Sequence, residues 1–169
     1  KYFEKFEKYD FDLWKKSIEG NLSSIFIVTK TVANQMLKKK GGSIINIASD
    51  AGIISPDHRI YELDKKINYK GVPFNTPLSY SVAKSGIISM TRFLATYWAK
   101  KGIRVNCISP AGVYKNHGSK FVKKLSYKIP LGRMAKPHEF NGAIIYLCSN
   151  VSSFVTGHNL VIDGGRTIW

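Results

Sequence analysis

Three short apolar runs alternate with three longer stretches whose apolar residues recur at helical spacing, and this order most limits what the chain can fold into. The runs are 43–48 (SIINIA), 103–108 (IRVNCI) and Asn159–Ile162 (NLVI). Each is short, apolar along its length and bounded by glycine, serine or proline, as expected of strands buried on both faces. Strands separated by amphipathic helices form a parallel sheet, because parallel neighbours need a crossover connection. The expected fold is α/β, a doubly wound parallel sheet of Rossmann-like type.

The first helix is expected to start at a cap on Asp10 or Asp12. It continues through Trp14, Ile18, Leu22, Ile25, Val28 and Val32 to Met36. Lys38–Lys40 suit its negative end, and Gly41-Gly42 stop it. The second helix spans about 79–101 with an apolar stripe of Ala83, Ile87, Met90, Phe93 or Leu94, and Tyr97, and ends at Gly102. A third runs from Pro137 to about Ser149. Residues 50–78, with Pro56, Pro73 and Pro77, read as a long loop with room for one helical turn. Residues 111–135 form a lysine-rich connection with a short helix near 120–126. Three strands make a thin sheet, and an outer edge would be bare unless further strands precede Lys1. The chain is therefore expected to be the C-terminal part of a larger domain.

The chain has 169 residues and a net charge of +15, from 26 Lys+Arg against 11 Asp+Glu. From Lys65 to His138 there are 15 Lys+Arg and no acid. Such a stretch attracts anions, although 21 lysines against 5 arginines and 19 isoleucines also suit simple compositional drift. No recognition motif accompanies the charge, which argues against a nucleic-acid binder. No apolar run approaches the roughly 18 residues of a membrane span. Cys107 and Cys148 both lie in apolar runs, so two buried thiols and a reducing, cytoplasmic setting are expected. No cluster of metal-ligand spacing stands out, and no metal is expected.

Tyr80 and Lys84 are four residues apart at the start of the second helix, so they share one face. An ammonium beside a phenol favours the phenolate and makes it a candidate general acid and base. Tyr61/Lys65 and Tyr97/Lys101 have the same spacing. Only Tyr80 opens a long apolar helix, followed by Ser81, Ala83, Ser85 and Gly86. Ser49 ends the first strand, where parallel sheets bind ligands, and its hydroxyl can hold a substrate oxygen. Pro110, Ala111, Gly112 and Val113 follow the second strand end, where backbone groups can meet a ligand. Asn21 is polar within an otherwise apolar helix.

Taken together, WKKSIEGNL with Asn21, GGSIINIAS with Ser49, YSVAKSG with Tyr80 and Lys84, IRVNCISPAGV, PLGRMAKPHEF and FVTGHNLVIDGG resemble the short-chain dehydrogenase/reductases over nearly the whole chain. That resemblance implies hydride transfer between NAD or NADP and an alcohol or carbonyl. Tyr80 would exchange the proton and Lys84 would hold the nicotinamide ribose and depress the Tyr80 pKa. Ser49 would polarise the substrate oxygen, and Asn21 would hold a relay water. Pro110 through Val113 would meet the nicotinamide. A homotetramer or homodimer is implied, with contacts through the helices around Asn21 and Tyr80 and through 154–169.

The chain departs from the family pattern in four places. No glycine-rich phosphate turn precedes Asn21. Ser49 and Tyr80 are 31 positions apart, with an insert at about 53–78. Tyr61/Lys65 falls nearer the customary gap. Ala111 stands where glycine is usual, and Lys115 where threonine is. The insert and its 57–62 segment resemble members tied to bacterial surface-sugar and flagellin modification. With a basic substrate lid at about 114–136, this implies a small, anionic sugar or sugar phosphate. The alternatives are a 3-oxoacyl-type ketoreductase, or a truncated non-catalytic relic or partner subunit without a cofactor site. The whole of 1–169 is expected to form a single partial domain.

Overall fold

In a computed structural model of the chain, residues 2–61, 68–69, 72–73 and 75–169 are described. Asp10 caps α1 (Phe11–Ile18), its carboxylate accepting from the Asp12 and Leu13 amides at 2.8 and 3.1 Å. One wide π turn, Glu19–Ser23, joins α1 to α2 (Ser24–Lys38). The first of the three main strands follows as β1 (Gly42–Ile47). The loop expected over 50–78 holds short turns at Asp50–Gly52 and His58–Ile60. It also holds a two-residue antiparallel pair, β2 (Asn68–Tyr69) with β3 (Val72–Pro73). Lys65 of the competing tyrosine–lysine pair lies outside the described residues. Then come α3 (Leu78–Trp98), β4 (Ile103–Pro110), α4 (Ser119–Tyr127), α5 (Asn141–Cys148) and β5 (Asn159–Ile162).

The sheet is parallel, in the order β1-β4-β5, as the strand–helix alternation requires. Gly42 pairs with Ile103 at one end and Ile47 with Ile108 at the other, and Pro110 pairs with Ile162. Central β4 is buried along nearly its whole length. On one face Ile103 and Val105 pack with Ile44, Ala33, Ala95 and Trp98, under α2 and α3. On the other, Arg104 donates to the Leu147 and Ser149 carbonyls at 3.0 and 3.1 Å, which ties β4 to the end of α5. Helices thus cover both faces. The turn into β4 needs Gly102, where φ is 75° and a Cβ would stand 2.6 Å from the Lys40 carbonyl oxygen.

The helix faces differ from the sequence reading. Ser17, Thr29 and Ala33 are the buried residues of the first rod, whereas Val28 is 60% exposed. On α3 the buried set is Ser79, Ala83, Ile87, Ile88, Thr91, Ala95 and Trp98, with Phe93 and Tyr97 turned outward. Small residues among the buried set let helix and sheet approach closely, while Phe93 and Tyr97 lie on the outer side. Cys107 is buried as expected, but Cys148 is exposed. The last turn of α5 is apolar all round, and Leu147 takes the inward position. Among the described residues no helix is long and apolar enough to cross a membrane.

Asn106 is fully buried in β4, donating to the Val155 carbonyl at 2.9 Å and accepting from the His158 amide at 3.0 Å. It stitches the segment before β5 to the central strand. Asn106→Ala takes the side-chain partner from the His158 amide and leaves the Val155 carbonyl only its 3.3 Å bond from Arg104, so unfolding in urea should show a loss of about 1–3 kcal/mol.

Candidate active site

The carboxyl ends of β1 and β4 open into a cleft of about 540 Å³. Ser49, Tyr80 and Lys84 all line it, as do Pro110, Ala111, Gly112 and Val113. Ser49 stands two residues past β1 in extended conformation and is 7% exposed. Its hydroxyl accepts from the Ala51 amide at 3.2 Å and donates to Asp50 Oδ1 at 3.0 Å. Tyr80 lies in the first turn of α3, which Pro77 starts. Lys84 follows one turn later and donates to the Ile47 carbonyl at 2.8 Å, with its Nζ 5.5 Å from the Tyr80 ring centroid.

Close approach makes this geometry. The turn at Asp50–Gly52 rests on α3, and Ser85 Oγ donates to the Gly52 carbonyl at 2.8 Å. A Cβ on Gly52 would stand 2.7 Å from the Lys84 carbonyl carbon, so only glycine lets the serine turn sit beside the lysine. Leu22, next to Asn21, packs with Ala48, Ile87, Ile88 and Cys107 beneath the cleft. Asn21 itself lies in the π turn, a helix irregularity frequent at functional sites. Its amide donates to the Ser17 carbonyl at 2.9 Å, and it does not line the cleft that holds the other three.

Burial raises the Tyr80 pKa above its ordinary value, and nearby Asp50 adds to this. A hydrogen bond with Ser49 acts the other way. The Lys84 ammonium is engaged by the Ile47 carbonyl rather than by the Tyr80 hydroxyl. Burial lowers the Lys84 pKa in turn.

Asp50, His117 and Arg166 also line the cleft and were missed in the sequence. Asp50 was visible as an acid directly after Ser49, and Arg166 as a cation directly after the Asp163-Gly164-Gly165 turn. Tyr61, set aside as a catalytic competitor, stands in the same cleft and shares a 2.7 Å hydrogen bond with Thr76. No local signal marks His117. Among the described residues no cluster of three or more His, Cys, Asp or Glu could hold a metal ion.

Comparison with known proteins identifies the family. Residues 1–61 match the family model described as short chain dehydrogenase, and residues 67–167 the one described as enoyl-(acyl carrier protein) reductase. The chain belongs to the short-chain dehydrogenase/reductase family. An NAD-dependent glycerol dehydrogenase of Listeria innocua is 35% identical across 98% of this chain and 60% of its own length. A 3-oxoacyl-(acyl-carrier-protein) reductase of Thermotoga maritima is 35% identical across 92% of this chain and 57% of its own. A crystal structure of a short-chain dehydrogenase from Leptospira borgpetersenii with bound NAD+ superposes with a TM-score of 0.87. It is 38% identical, and the match covers 98% of this chain and 60% of that one. The chain thus spans about three-fifths of the length of these relatives.

The direction of the Tyr80 shift gives a test. Tyr80 should titrate above 10 in a phenolate difference spectrum of wild type against Tyr80→Phe. A raised folded pKa favours the native state below the unfolded value. The wild type should therefore lose stability relative to Tyr80→Phe as pH climbs from 10 through the folded pKa.

Proposed function

We propose that this chain carries the catalytic end of an NAD(P)-dependent oxidoreductase that interconverts an alcohol and a carbonyl. The observation that carries the reading is the meeting of Ser49, Tyr80 and Lys84 in one cleft at the carboxyl ends of parallel strands. The nicotinamide end of a dinucleotide fits the residues present. Pro110 through Val113 wall the same cleft. Their backbone is held by the 3.1 Å bond from the Ala135 amide to the Gly112 carbonyl and the bridge from Val113 to Ala135. A nicotinamide dinucleotide bound there supplies the hydride chemistry.

The chain's own residues supply orientation and proton transfer. Ser49 donates a hydrogen bond to the substrate oxygen and fixes it beside Tyr80. Tyr80 Oη gives its proton to that oxygen in reduction and removes it in oxidation. Lys84 lies one helical turn away; it would hold the ribose hydroxyls of the cofactor, and its charge would favour the phenolate as it develops. Asn21 serves outside the cleft as the water-holding end of the relay. The 114–136 segment acts as the substrate lid on one partial domain, and the assembled protein is a homodimer or homotetramer.

The substrate class proposed is a small polyol or sugar, and an anionic one is favoured by the 114–136 segment. Lys115, Lys120 and Lys123 are exposed there. Lys128 pairs with Asp57, and Arg133 with Glu139 at 2.6 Å. Likeness to a 3-oxoacyl reductase supports a second reading, reduction of an acyl thioester.

In the intact protein, Tyr80→Phe should lower kcat for alcohol oxidation by about 10³-fold with the fold retained. Unchanged turnover would remove Tyr80 from the chemistry and the reading with it. If charge captures the substrate, KM for a phosphorylated polyol should rise several-fold between about 0.05 and 0.5 M salt, while KM for its neutral counterpart stays level. A salt-independent KM for both would rule out electrostatic capture.

A further inference from the structure

The proposed reaction gives Asp50 and Arg166 no task, yet the fold buries both at its centre. Asp50 Oδ2 and Arg166 Nη1 form an ion pair whose side chains are 6% and 11% exposed, and both line the cleft with Ser49 and Tyr80. Asp50 Oδ1 accepts the Ser49 hydroxyl at 3.0 Å, so serine, carboxylate and guanidinium form one hydrogen-bonded chain. The C-terminal turn is built to aim this arginine. Asp163 accepts from the Gly165 amide at 2.8 Å and from the Thr167 amide at 2.7 Å, which pins the backbone on both sides of Arg166.

A bare carboxylate beside Ser49 would harm the reaction twice. It would hold the hydroxyl hydrogen that the substrate oxygen needs, since ionised acceptors bind most strongly. Its charge would also oppose a phenolate on Tyr80. A guanidinium on the far oxygen reduces both effects. We propose that Asp50 and Arg166 are positioning residues for Ser49 and Tyr80. Asp50 points the Ser49 hydroxyl, and Arg166 weakens that hold enough for the hydrogen to turn to a substrate oxygen. Arg166 also offsets part of the Asp50 charge that Tyr80 feels. This rests on the proton exchange proposed above for Tyr80. The other groups facing Tyr80 are Lys84 on its own helix, Tyr2 from the N-terminal segment, and Tyr61 and His117 across the cleft.

The test is the titration midpoint of Tyr80 in the intact protein labelled with [13Cζ]tyrosine, its resonance assigned with Tyr80→Phe. Asp50→Asn leaves an unpaired cation beside Tyr80, so the midpoint should fall by about one unit. Arg166→Met leaves an unpaired anion, so it should rise by about as much, with kcat about tenfold lower and KM little changed. Arg166→Lys should restore both values, and the double variant Asp50→Asn/Arg166→Met should place the midpoint between those of the two single variants. If Arg166→Met does not fold, Asp50→Asn and the double variant still decide the matter. Folded variants with an unchanged midpoint, whatever their melting temperature, would overturn the proposal and leave the pair as a tether for the C-terminal turn. Should the wild type oxidise no alcohol, the oxidoreductase reading fails, and the Tyr80 midpoint still reports on the pair.

Discussion

The pairing of β1 with β4 is the contact on which the rest of the molecule depends. Its register, with Ile47 opposite Ile108, brings the two strand ends level. Residues that leave those ends therefore leave together, Ser49 from one and Pro110 through Val113 from the other. Parallel strands make this possible, because each is followed by a crossover and all point their carboxyl ends the same way. The core beneath is fixed by the same register. Cys107 and Ala48 meet Ile87 and Ile88 of α3 just under the cleft. Any slip of one residue would exchange the two faces of β4 between its helix layers and move Ser49 away from Tyr80.

The second requirement is that α3 comes close to the turn after β1. Gly52 has no side chain to hold the helix off, and Ser85 bonds its carbonyl. Lys84 is then near enough to reach the Ile47 carbonyl. A short side chain, a hydroxyl and an ammonium so convert a strand-to-helix contact into a site. The ion pair of Asp50 with Arg166 adds the C-terminal turn to the same point. Three distant parts of the chain converge there, and the polar groups of each find partners in the others.

Much of this was legible in the sequence, and the reasons are specific. Strand–helix alternation gives the parallel sheet because the two periodicities are distinct. Tyr80 could be preferred over Tyr61 and Tyr97 because it alone opens a long helix with small neighbours. The faces of α2 and α3 were misread for a physical reason. Their outward sides carry Val28, Phe93 and Tyr97, so apolar spacing could not tell which stripe faces the sheet. Cys148 was misplaced in the same way on an all-apolar turn. The Asp50–Arg166 pair joins residues 116 positions apart, a contact that no local pattern encodes. The upward direction of the Tyr80 shift was also hidden, because it depends on burial and on the nearness of Asp50.

The central claim is that this cleft receives a nicotinamide cofactor against Tyr80 and Lys84. Its most direct test is an NADH and NADPH fluorescence titration of the intact protein, wild type beside Lys84→Met. The account predicts saturable binding of at least one cofactor by wild type, and binding weakened by about tenfold or more once the ammonium is gone. Equal affinity in the folded variant, or no binding by the wild type, would contradict it.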